Sequence, residues 1–145
     1  TRSLCDWSSD VCSSDLMKMD IQIHTNESIH ATFDGLTVIT AQDGTAPAPF
    51  DLFLASMGTC GGFYLARFCK QRGITTEGIR ITQEIQRDPD SHLVTHIDLA
   101  IHLPVDFPDK YRQAAVRAAE QCTVKKNLAA PPAITVHLAE TTVST

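Results

Sequence analysis

The chain lacks the features that mark many common function classes. It has no block or stripe of lysine and arginine. Twelve basic residues stand against seventeen acidic ones, a net charge of −5. Neither a nucleic acid nor an anionic membrane is therefore expected as a partner. No Cys-x-x-Cys pair occurs, and no two histidines sit four apart on a helix, so no metal site is expected. His24, His30, His92, His96, His102 and His137 all fall on expected strands or turns. No glycine-rich loop follows a strand, which argues against a nucleotide site. Ser56 lacks the strand-to-helix elbow of a hydrolase nucleophile. The longest nearly apolar run, Phe50 to Phe68, contains Asp51, Arg67 and several small polar residues. It reads as a buried helix rather than a membrane span. No cleavable secretory segment is evident, so the expected compartment is the cytoplasm, where thiols stay reduced.

What remains is an ordinary globular composition, 43% hydrophobic and 20% charged over 145 residues, which suits one domain. Residues 1–16 stand apart. They repeat Ser-Ser-Asp at Ser8–Asp10 and Ser13–Asp15 and carry Cys5, Cys12 and the only tryptophan, Trp7. Asp6 to Leu16 resembles one reading frame of a sequencing adapter. This stretch is expected to be a non-native or disordered extension, with Met17 or Met19 as the start and 17–145 as the folded domain. Cys60, Cys69 and Cys122 are left. An odd count in a reducing compartment argues against a disulfide framework.

Ile21 and Ile23, then Ile29, Ala31 and Phe33, alternate with polar residues, the period of half-buried strands. Asp34-Gly35 is a hairpin signal, and Leu36–Ile39 continues the meander. Pro49 opens a helix expected to run from about Phe50 to Arg72 and to stop at Gly73. It is apolar nearly all round and should be central. Gly58, Gly61 and Gly62 lower its helix propensity, so they are expected to admit another backbone. Gly78–Arg87 and Leu93–Leu103 form a strand pair around the turn Asp88-Pro89-Asp90-Ser91. A second helix is expected over Asp109–Gln121, with a short helix or turn over Val124–Leu128. Ile134, Val136 and Leu138 alternate as a last strand. The order βββ-α-ββ-α-β, with antiparallel sheets and two long helices, is an α+β architecture.

Three cysteines carry the chemistry worth weighing. Cys60 lies mid-helix, where a buried cysteine is usually an inert small hydrophobe. Cys69 follows nine residues later, on the opposite side of a helix, and reads as packing. Cys122 ends a helix beside Lys125 and Lys126. The lysines favour a thiolate there, and a helix C-terminus opposes it.

The segment Pro49-Phe50-Asp51-Leu52-Phe53-Leu54-Ala55-Ser56-Met57-Gly58-Thr59-Cys60 resembles the first-cysteine motif of the OsmC/Ohr family. Gln121-Cys122-Thr123-Val124-Lys125-Lys126-Asn127-Leu128 resembles the second. With the element order, the likeness runs over roughly Met17 to Val143. It implies an OsmC-like fold in a tightly intertwined homodimer. It also implies reduction of organic hydroperoxides, with Cys60 as the peroxidatic thiol and Cys122 as the resolving thiol. Phe50, Asp51, Thr59, Tyr64 and Lys125 would shape the substrate pocket. A lipoylated protein or other dithiol would reset the pair, without bound cofactor or metal.

The sequence departs from that pattern at one place. Peroxidase members of the family have an arginine in the N-terminal strands and a glutamate directly after the motif proline. Here Phe50 follows Pro49, Asp51 is one residue late, and no arginine occurs between Met17 and Phe50. One residue on a helix turns a side chain by about 100°, so Asp51 is no automatic substitute. Charge from Arg67, Lys125 or Lys126 is the expected replacement. The alternative reading is a weakly reactive dimer that binds a hydrophobic ligand or senses redox state.

Overall fold

The computed structural model describes residues 17–140. The sequencing-adapter expectation falls on residues 1–16, outside them. Two compact units divide between Leu52 and Phe53.

The first unit is the expected antiparallel meander: β1 (Asp20–Ile23), β2 (Ile29–Phe33) and β3 (Leu36–Thr40), in the order β1-β2-β3. The register pairs Ile21 with Ala31, Ile23 with Ile29, Ala31 with Val38 and Phe33 with Leu36. All of these side chains therefore share one face. Asp34 and Gly35 both have positive φ, 50° and 75°, the two-residue turn that matches strand twist.

The long helix α1 (Pro49–Gln71) starts and stops through local signals. Pro49 takes the first helical position, where its missing N–H costs nothing. Asp51 then accepts the backbone N–H of Ala48 at 3.1 Å, one half of a capping box. At the other end Gly73 adopts φ 65°. Its N–H reaches the Lys70 carbonyl at 3.3 Å, and that of Ile74 reaches the Cys69 carbonyl at 2.9 Å. This pair of bonds closes a Schellman motif.

The second unit packs α1 from Phe53 onward with β4 (Arg80–Arg87), β5 (Val94–His102), α2 (Arg112–Ala119) and α3 (Thr123–Ala129). β4 and β5 are antiparallel, running from Arg80 opposite His102 to Arg87 opposite Val94, with a bulge at Gln86/Arg87. The core is Leu65, Phe68, Cys69, Phe107 and Ala115, surrounded by residues such as Ile81, Ile101, Leu103 and Tyr111. Arg112 ties the loop before α2. Its guanidinium donates to the carbonyls of Pro104, Val105 and Phe107 at 3.2–3.4 Å and pairs with Asp109 at 2.9 Å.

Three expectations change. The second helix is shorter than Asp109–Gln121: a 3-10 turn over Asp109–Tyr111 leads into the eight residues of α2. Nor is α1 buried all round. Leu54, Met57, Cys60, Gly61, Leu65, Phe68 and Cys69 are inside, but Phe63 is 78% exposed. The last strand is absent from residues 130–140, where Ile134, Val136 and Leu138 are 84–96% exposed. An alternating segment becomes a strand only when another backbone pairs with it, and none of the described residues does so.

Candidate active site at the junction of the second and third helices

Two distant parts of the chain meet beside Gly61. A Cβ on it would lie 3.5 Å from the carbonyl oxygen of Ala119, the last residue of α2. The end of α2 therefore packs beside α1 at ordinary contact distance. The chain leaves α2 through Glu120 and Gln121 and turns at Cys122, which has φ −50° and ψ 122° and caps the start of α3.

Cys122 is 3% exposed and Cys60 9%, and both thiols are free. The Cys122 thiol donates to the Met57 carbonyl, one turn before Cys60, at a sulfur–oxygen distance of 3.9 Å. Its sulfur accepts the backbone N–H of Lys125 at 3.5 Å. Cys60 follows Met57 by one turn of α1 and is near enough to bear on the Cys122 thiol. One turn further along α1, the Tyr64 hydroxyl meets Thr123 Oγ1 at 2.9 Å.

This geometry corrects the sequence reading of Cys122. The residue starts a helix as well as following one, so the backbone just after it presents N–H groups to its sulfur. Burial pushes the Cys122 thiol above its usual value. The Lys125 N–H opposes that rise, the neighbouring Cys60 thiol adds to it, and the Val124 N–H opposes it again. Burial prevails, so the resting form is a neutral thiol poised beside a second sulfur.

The other candidates separate. Tyr64 joins the thiol face through Thr123. Lys125 also joins it, but through its backbone N–H; the residue itself is exposed. Asp51 is occupied as the helix cap, and Phe50, in the same first turn, is 45% exposed. Thr59 turns its hydroxyl back to the Ala55 carbonyl at 2.8 Å. It lines an open groove of about 550 Å³ between α1 and β4, together with Gly58, Gly62, Ile81 and Gln83. Neither Cys60 nor Cys122 borders that groove. Cys69, fully buried on the opposite face, sits among core residues; burial raises its pKa and the Arg72 guanidinium opposes the rise.

Two residues escaped the sequence reading. Thr123 is one; its only signal was a hydroxyl beside a cysteine. Gln83 is the other. Its amide nitrogen donates to the Leu54 carbonyl at 2.9 Å, and its amide oxygen occupies space that a Cβ on Gly58 would need. Its signal was a polar residue on the apolar face between Ile81 and Ile85.

Comparison with known proteins bears on this arrangement. A model of a family described as OsmC-like protein matches residues 42–137. No curated protein sequence matches the chain. Solved structures do share its fold. A Psychrobacter arcticus 273-4 protein named for osmotic stress induction and detoxification response aligns with TM-score 0.66 and 18% identity, over 81% of this chain and 91% of its own. An OsmC-like protein of Mycoplasma pneumoniae aligns with TM-score 0.64 and 12% identity, over 81% and 90%. An organic hydroperoxide resistance protein of Legionella pneumophila aligns with TM-score 0.50 and 19% identity, over 80% and 90%.

Proposed function

The chain belongs to the OsmC-like protein family, and from that premise we propose that Cys60 and Cys122 form a redox couple that reduces organic hydroperoxides. The observation that carries this reading is that two buried free thiols from distant parts of the chain come to one helix junction, where the Cys122 thiol bonds the Met57 carbonyl one turn before Cys60. The Cys60 thiolate attacks the outer oxygen of the hydroperoxide. The O–O bond breaks, an alcohol leaves with a proton, and Cys60 becomes a sulfenic acid. Cys122 gives up its proton and attacks that sulfur. The S–S bond forms, the S–O bond breaks, and water leaves. A resolving thiol already in place captures the sulfenic acid before it oxidises further. An external dithiol, of which a lipoylated protein is the model, returns both cysteines to thiols. The chemistry requires no bound metal or cofactor.

We place the protein in the cytoplasm as a homodimer. Exposed apolar side chains support a second copy: Ile21, Ile23 and Leu36 on one sheet face are 53–82% exposed, and Ile134, Val136 and Leu138 more so. Such patches mark association surfaces.

A second reading has its own support. No arginine stands between Met17 and Phe50, Asp51 is used as a cap, and burial keeps Cys122 protonated. In that reading the thiols react slowly, and the same dimer binds a hydrophobic ligand or senses redox state. Stopped-flow oxidation of reduced protein by cumene hydroperoxide separates the two. Fast loss of two thiols with a Cys60–Cys122 bridge, mapped by mass spectrometry, supports the peroxidase. Oxidation no faster than that of a free thiol removes it.

A further inference from the structure

α1 meets the α2–α3 junction at two successive turns. The Met57 carbonyl, one turn before Cys60, accepts the Cys122 thiol, and Tyr64, four residues after Cys60, bonds Thr123. Cys122 and Thr123 are consecutive, so a restraint on one limits the other. Beyond Ala119, which packs beside Gly61, the described residues of the junction are more open. Gln121 is exposed, and so are all residues of α3 from Lys125 onward. Thr123 is tied on both sides: its hydroxyl meets Tyr64, and its carbonyl accepts the Asn127 side chain at 2.9 Å.

We propose that Tyr64 is a positioning residue for the cysteine couple: its hydroxyl, bonded to Thr123 Oγ1, holds the junction so that the Cys122 sulfur stays against Cys60. This rests on the reading of Cys60 and Cys122 as a redox pair and adds how the resolving thiol is kept in place. Disulfide closure depends on how much of the time the second sulfur is in reach. A junction held by one fewer bond frays more often, and the effective concentration of Cys122 at Cys60 falls. One hydrogen bond is worth a factor of roughly three to ten.

The test needs no peroxide. Full-length protein is equilibrated in reduced and oxidised glutathione, and the Cys60–Cys122 disulfide is quantified by mass spectrometry for the parent, Tyr64→Phe, Thr123→Val and the double variant. Each single variant is expected to lower the effective concentration about three- to tenfold. The double variant is expected to lose no more than either single, because both remove one bond. Tyr111→Phe, away from both sulfurs, leaves the value unchanged. Should Tyr64→Phe fail to fold, Thr123→Val reads the same bond from its other end. Single variants within twofold of the parent, or losses that multiply in the double variant, overturn the proposal. A parent that forms no bridge in glutathione overturns both the proposal and the redox reading. A parent that bridges in glutathione but reacts with cumene hydroperoxide only as a free thiol does overturns the peroxidase alone.

Discussion

The two faces of α1 carry two buried cysteines, and they are not the same kind of residue. Cys69 packs among Leu65, Phe68, Phe107 and Ala115, with no second sulfur in that cluster among the described residues. Cys60 has Cys122 as a neighbour, held to the Met57 carbonyl one turn away and arriving on a turn of backbone N–H groups. Burial raises the pKa of both Cys69 and Cys122, so burial does not separate them. What separates them is the neighbour. A thiol with no sulfur partner nearby has no route to an intramolecular disulfide, whereas one held near another sulfur needs only an oxidant.

The largest expected effect breaks that contrast directly. Cys60→Ala abolishes the intramolecular bridge and the fast loss of thiols under organic hydroperoxide. Cys122→Ala leaves Cys60 to stop as a sulfenic acid, detected with a sulfenate-specific label. Cys69→Ala leaves both the bridge and the peroxide reaction as they are. A Cys69→Ala protein that no longer bridges would place Cys69 in the chemistry.

Stability should divide the faces as well. Leu65 is 2% exposed at the centre of the core, so Leu65→Ala is expected to cost about 2–5 kcal/mol in urea unfolding. Cys69→Ser, which buries a hydroxyl without a designed partner, should cost about 1–3 kcal/mol. Asp51→Ala removes the acceptor for the Ala48 N–H and should cost about 1 kcal/mol.

Acidity gives a third contrast. With the Cys122 thiol above its usual value, bridge closure from a preformed Cys60 sulfenic acid should accelerate about tenfold per pH unit through neutral pH. It levels off only above the ordinary thiol range. Stability moves the opposite way. Cys69 and Cys122 are protonated longer in the folded protein than in the unfolded chain, so their contribution is complete below the unfolded thiol pKa. It is lost as pH rises through the folded value. Cys69→Ala should therefore flatten the alkaline fall in stability without altering the pH profile of closure.

What the sequence made legible was local. Asp34-Gly35 needs nothing beyond its own backbone to turn, and Pro49 and Gly73 begin and end a helix by their own φ preferences. The alternation of Ile134, Val136 and Leu138 was just as plain, but alternation names a face and not a pairing strand, and none of the described residues pairs with it. The family match confirms the likeness read from the two cysteine motifs. The electrostatic setting of Cys122 was misread because only Glu120 and Gln121 separate α2 from its turn. A break that short leaves the helical pattern uninterrupted. The bond from Tyr64 to Thr123 spans 59 residues, beyond the reach of any periodicity.

The smallest effect sharpens the comparison most, because it uses the same substitution on both faces. Gly58→Ala and Gly61→Ala each gain about 1 kcal/mol of helix propensity. At Gly61 the new Cβ meets the Ala119 carbonyl at 3.5 Å and the Ala119 Cβ at 3.9 Å, ordinary contact distances. Most of the gain should survive, and the Cys60–Cys122 junction should stay docked. At Gly58 the new Cβ falls 2.9 Å from the Gln83 amide oxygen. That side chain must swing away, and its bond to the Leu54 carbonyl is lost, worth about 0.5–1.5 kcal/mol. The propensity gain is then offset, and Gly61→Ala should exceed Gly58→Ala by about 1 kcal/mol in chemical denaturation. Equal stabilities would mean that Gln83 relaxes freely and that the groove beside β4 is softer than the thiol face.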